Sequence, residues 1–160
     1  MTQSQNARST RALIRRLEER AEQIAVAMAM RAREVPVYAA YDDDTFLESA
    51  LQHCRDHVDA FLIVGREARQ LLGPELDFVR RQAILRARQG VPLEPLLHVY
   101  RMGHIAIHDA IVEAGGSSKA GMTAAIELTK RTMAHIDLIT TTYTQSYLEA
   151  QHAMAMEAES

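Results

Sequence analysis

His53 and His57 stand four residues apart, as do His104 and His108, and Cys54 lies beside the first pair. On a helix, residues four apart share a face, so each pair could offer two imidazoles to one metal ion. One buried imidazole could equally ligate haem iron. No Glu follows the first His of either pair and no Cys-x-x-Cys occurs, so the usual marks of a metalloenzyme are missing. His53 sits among polar neighbours and is read as facing solvent. Cys54 has no glycine-rich elbow near it and reads as a buried, inert thiol. The Asp42-Asp43-Asp44-Thr45 cluster is better suited to capping a helix than to acid–base work. There is no phosphate-binding loop and no dinucleotide fingerprint. The expectation is a protein without catalytic residues, resident metal or cofactor.

Arginine offers a second chemistry. Arg80, Arg81, Arg86 and Arg88 precede a Gly90-Val91-Pro92 turn and Arg101 follows it. A DNA-reading helix-turn-helix presents polar side chains at the start of its second helix. Here that helix opens with Leu93-Glu94-Pro95-Leu96-Leu97, which cannot read base edges, and Glu94 would repel phosphate. The formal net charge of −3 points the same way.

The elements that would position these groups are helical. Seven Gly and four Pro punctuate 160 residues, and no segment alternates with strand periodicity. A chain of this length forms one domain with a real core. No apolar run reaches the length of a membrane span, no secretory signal is evident, and the single Cys54 fits a reducing, cytoplasmic setting.

Residues 1–9 are read as disordered. The spacing of Leu13, Leu17, Ile24 and Met28 predicts a first helix from about Thr10 to Arg33, stopped by Pro36. A second helix follows Asp44 to about Gly65, with a short helical piece over 66–72. Pro74 opens a third that buries Val79, Ala83, Ile84 and Ala87 and ends at Gly90 as its C′ residue. The next helix runs from Leu93 to about Ala114, with Leu96, Leu97, Tyr100, His104, Ile107, His108 and Ile111 inward. The last begins after Ser118 and is the longest.

That last helix carries a heptad seam. Met122, Ile126, Thr129, Met133, Ile136, Thr140, Tyr143, Tyr147, Ala150 and Met154 recur with 4-3-4-3 spacing. The segment beyond Thr142 reads as too weakly apolar for the same core. The division expected is a regulatory domain over 10–142 and a coiled-coil-like extension over 143–160 that leads into a further segment. Met133, Ile136, Tyr143 and Tyr147 are the expected dimer and lever seam.

The run Ala87 to Ile111 resembles the N-terminal helical domain of PucR/CdaR-type transcriptional regulators, itself related to the N-terminal domain of RsbR-type stressosome proteins. The residues that carry the resemblance are Ala87, Arg88, Gly90, Val91, Pro92, Leu93 and Glu94, then Leu96, Leu97, Tyr100, Arg101, Gly103 and His104. It implies an all-α, globin-like helical bundle without haem, acting as a sensory or dimerisation module. Any DNA contact would fall to a C-terminal domain outside these residues. A homodimer, an unknown small-molecule or protein signal and no membrane are the partners expected.

His57, Phe61, Tyr100, Arg101, His104 and His108 are the candidate ligand pocket, between the second helix and the one that follows the hinge. The bland alternative makes Tyr100 a core residue and Arg101 an ion-pair partner of Glu94 or Glu113. A haem- or metal-binding globin-like sensor is the alternative function.

Overall fold

A computed structural model describes residues 2–160. Seven α-helices and one 3-10 turn carry the chain, with no strand among the described residues. Helix α1 spans Gln3–Glu18, opened by a capping box in which the Thr2 hydroxyl accepts from the Gln5 N–H. The segment expected to be disordered is therefore helical from Gln3 onward; Met1 lies outside the described residues.

The first helix is also two helices. Arg20 (φ −109°) breaks the run, and α2 restarts over Ala21–Ala32. The reason is packing. The Leu13, Ile14 and Leu17 stripe of α1 rests chiefly on α7, whereas the Ile24, Ala25 and Met28 stripe of α2 rests on α6 and α4. One straight helix cannot serve both surfaces.

Pro36 opens a four-residue helix, α3 (Pro36–Ala39), which sinks Tyr38 into the core. Helix α4 (Asp44–Glu67) starts where the Asp43 carboxylate accepts from the Phe46 N–H at 2.9 Å. It ends at Ala68, held left-handed at φ +51°. The helical piece expected over 66–72 is thus absent after Glu67. In its place Glu75 binds Arg69 at 2.7 and 3.0 Å and accepts from the Leu72 N–H at 2.8 Å. The Arg69 guanidinium and that N–H hold the Glu75 carboxyl down at about 2.

A 3-10 turn over Gly73–Leu76 leads into α5 (Asp77–Arg88). The corner that follows needs Gly90 at φ +75°, where a side chain would be strained. Helix α6 (Leu93–Gly115) leaves it, and α7 (Lys119–Glu159) runs the length of the molecule from its Ser118 cap. The two helices meet so closely that a Cβ on Gly121 would collide with the Gly115 carbonyl oxygen. Arginines reach across to carbonyls near two helix C-termini: Arg16 to Ala114 and Arg131 to Gly65, both at 2.9 Å.

Two clusters form the core, and α7 serves both. One joins α1, α2, α4, α6 and the first half of α7 through Leu13, Leu17, Phe61, Ile111 and Leu128. The other joins α3, α4, α5, α6 and the second half of α7 through Tyr38, Phe46, Val79, Tyr100, Ile139, Tyr143 and Tyr147.

The expected seam is accordingly split. Met133 is 66 % exposed, together with Met122 and Ile126, and Ile136 is half-buried. Tyr143, Tyr147 and Ala150 belong to the chain's own core, so that core extends to Ala150 and does not stop at 142. The physical cause is cover: around its second half α7 is also packed by α5, so positions one residue round from the main buried stripe are enclosed there as well. The stripe that α7 buries is Gly121, Ala125, Leu128, Thr132, His135, Ile139, Thr142 and Ser146, one residue away from the apolar seam.

Candidate functional site

Helices α4, α6 and α7 bring four histidines and two tyrosines together at the middle of the domain. His53 and His57 project from adjacent turns of α4 with Nε2 atoms 2.9 Å apart. The Tyr100 hydroxyl reaches both from α6, at 2.7 Å to His53 and 3.2 Å to His57. Rings close the cluster on two sides: Phe78 meets His57 edge-on at 5.0 Å, and Tyr143 lies 4.6 Å from Tyr100. His104, one turn along α6, has its ring 6.0 Å from that of Tyr100. The Nδ1 atoms of His104 and of His135 on α7 are buried without a hydrogen-bond partner.

Burial sets the protonation of the cluster. It pushes His53 down to about 3, with the Arg86 charge adding to the effect. Burial does the same to His104 and His135, both to about 4, and drives His57 well below its ordinary value. The imidazoles are therefore neutral at pH 7. Burial also holds the Tyr100 hydroxyl far above the ordinary phenol range and pushes the Cys54 thiol up to about 12. Cys54 is thus no nucleophile.

A cavity of about 40 Å³ abuts the cluster, walled by Met28, Cys54, His53, His57, Tyr100 and His104. On the far side of His104 a groove of about 500 Å³ opens between α6 and α7, lined by Arg101, Ile105, His108, Thr129, Met133 and Ile136. His104 contributes to both.

The structure thus brings together His57, Tyr100 and His104 of the expected pocket. Phe61 is 1 % exposed inside the apolar cluster and does not line the cavity. Arg101 and His108 sit on the exposed groove, so His108 is not an inward position. Arg101 forms no ion pair among the described residues; Glu113 is engaged by Arg20 at 3.5 Å. His53, expected to face solvent, is half-buried with its ring turned to Tyr100. Ile84, expected inside, is 40 % exposed.

Arg86 was legible only as part of a basic cluster, yet it is fully buried. Its guanidinium stacks 3.8 Å over the Phe46 ring and donates to the Gln89 amide oxygen at 2.8 Å. The Gln82 amide oxygen, turned toward it, accepts two further bonds at 3.2 and 2.9 Å. No carboxylate pairs with it among the described residues. The missed signal was spacing: Val79, Ala83 and Arg86 fall on one helix stripe.

Fold and site together define an all-α helical bundle with a cluster of histidine and tyrosine side chains in its interior. The sequence matches the RsbT co-antagonist protein rsbRD N-terminal domain family over residues 21–160, and the chain belongs to that family. No curated protein and no solved structure matches it. Among the described residues no helix is long and apolar enough to cross a membrane.

Proposed function

We propose that this domain is the N-terminal sensory and dimerisation module of a bacterial transcriptional regulator of the PucR/CdaR type. It performs no catalysis. It works in the cytoplasm and passes a signal along α7 to a DNA-binding domain beyond this chain. The observation that carries the reading is the double role of α7: one face borders the buried His–Tyr cluster, and an adjacent face, one residue round the helix, carries uncovered apolar side chains. Met122, Ile126 and Met133 on α7, with Ile105 and Val112 on α6, are each more than 40 % exposed. An exposed apolar stripe on two adjacent helices, with Arg101 at its edge, suits a second copy of the same pair, giving a four-helix interface. A change at the cluster would alter the packing of α7 and so the geometry of that interface. The family membership supports a regulatory role.

The haem alternative meets a size objection. Ligand pockets for molecules of drug size run to about 300–1,000 Å³, so the cavity of about 40 Å³ beside His53 and His57 does not admit a porphyrin on those two imidazoles.

Light scattering on the purified chain tests the reading. The expected mass is that of a dimer, and Met133→Asp converts it to a monomer with unchanged helical content. A wild-type monomer at high concentration, or a dimer indifferent to Met133→Asp, removes the proposed interface.

A further inference from the structure

We propose that His53, His57 and Tyr100 form a binding site for one first-row transition-metal ion, with an open coordination position facing the inner cavity. The geometry carries the proposal and stands apart from the dimer reading. Three donor atoms, two Nε2 and one hydroxyl oxygen, lie 2.7, 2.9 and 3.2 Å from one another. A ring nitrogen holds either a proton or a lone pair, never both. Three mutual contacts among two such nitrogens and one hydroxyl therefore cannot all be hydrogen bonds. At least one is left without a proton of its own, and a shared cation would satisfy it.

The spacing suits a metal. Ligands at about 2.0–2.1 Å in tetrahedral array stand about 3.3 Å apart, so these atoms would separate by about 0.1 to 0.6 Å. The ligands sit on two helices, not on loops, which fixes their positions. Among the described residues no three of His, Cys, Asp and Glu converge on one point; the third donor here is a phenol. Two imidazoles and a phenolate select ions such as Cu²⁺, Fe³⁺ or Zn²⁺ over Mg²⁺ or Ca²⁺. The adjoining cavity of about 40 Å³ has room for a water or a diatomic molecule at the open position.

Binding needs no redox partner. The Tyr100 O–H bond breaks, its proton passes to solvent and the oxygen lone pair forms the bond to the metal. Tyr38 on α3, Arg86 on α5, His104 on α6 and His135 and Tyr143 on α7 face the site. Of these only Arg86 is charged. It opposes a cation at His53, and its pull on the Tyr100 proton is outweighed by the burial that keeps that hydroxyl protonated until a metal displaces the proton. Each imidazole presents an Nε2 lone pair when its one proton sits on Nδ1.

The test is titration of the chelator-treated chain with Cu²⁺, following absorbance and proton release. The wild type should bind a single equivalent, develop a phenolate-to-metal charge-transfer band and release one proton per ion. Tyr100→Phe, which removes only the hydroxyl, should lose the band and the proton release and bind at least about tenfold more weakly. The double variant His53→Gln/His57→Gln should lose the equivalent. If that variant fails to fold, Tyr100→Phe decides. No binding by the wild type, or a Tyr100→Phe protein that binds with unchanged affinity and spectrum, overturns the proposal. The latter would mark an adventitious ion on exposed histidines such as His98 or His152.

Discussion

The two ends of α7 live in different solvents. Its first half lies in a lobe built almost wholly from aliphatic and phenyl groups, with Leu13, Leu17, Phe61, Ile111 and Leu128 essentially inaccessible. Its second half lies in a lobe where Tyr38, Arg86, Tyr100, Tyr143 and Tyr147 share the interior with imidazoles. The apolar lobe gains from every ångström of packing and is indifferent to pH. The polar lobe depends on satisfied hydrogen bonds and on histidines kept neutral, which makes it the responsive one. One helix contributes residues to both lobes.

The largest effect expected falls in the apolar lobe. Phe61→Ala should cost about 4 kcal/mol through lost burial and a cavity that cannot collapse. Urea denaturation should show this loss equally at pH 7 and pH 5. A cost that grew on acidification would place Phe61 in the wrong lobe.

Acid should act on the polar lobe. His53, His104 and His135 carry folded values of about 3, 4 and 4 against 6.5 for the free side chain, and His57 lies well below 6.5. The unfolded chain therefore binds more protons than the folded one between those limits. Stability is full above about pH 6.5 and falls as pH drops toward 4. Denaturation series across that range should show the decline, with protons taken up on unfolding. Stability that held constant from pH 7 to 4.5 would mean these imidazoles are not buried.

A smaller change tests the attachment of α7 to the hinge. The Tyr147 hydroxyl donates to the Val91 carbonyl at 2.7 Å, tying the far end of α7 to the Gly90 corner. Tyr147→Phe should cost about 1 to 2 kcal/mol by leaving that buried carbonyl unpaired. The smallest effect is expected outside both lobes: Met133→Asp should change the stability of the isolated chain by within about 0.5 kcal/mol. A larger loss would show that Met133 packs within its own chain.

The same contrast explains what the sequence disclosed. The hinge was readable because Gly90, Val91 and Pro92 are local signals, and the structure puts Gly90 at φ +75° as a C′ residue requires. The starts of α4, α6 and α7 were readable for the same reason, from Asp43, Pro92 and Ser118. The break at Arg20 was not, because no Gly or Pro marks it and only the packing partners of α1 and α2 impose it. The register of α7 was misread because its buried stripe contains Thr132, His135, Thr142 and Ser146, while Met122, Ile126 and Met133 lie outside. Apolar periodicity finds apolar lobes. In the polar lobe it misses Arg86, which is satisfied by the neighbouring amides of Gln82 and Gln89 and the distant Phe46 ring, and it sends His53 to the surface because its partner Tyr100 is distant in sequence.

Residue-resolved hydrogen exchange along α7 tests the two-lobe account most directly. Amides from Ala124 to Thr132 should exchange only through global unfolding, so once intrinsic rates are removed their protection should follow the global stability and fall between pH 7 and pH 5. Amides from Tyr143 to Ala150 should open at lower free energy, and acidification should lower both openings together, leaving the gap unchanged because the apolar lobe carries no titrating group. Uniform protection along the helix at both pH values would contradict the account, because α7 would then answer to one core and not to two.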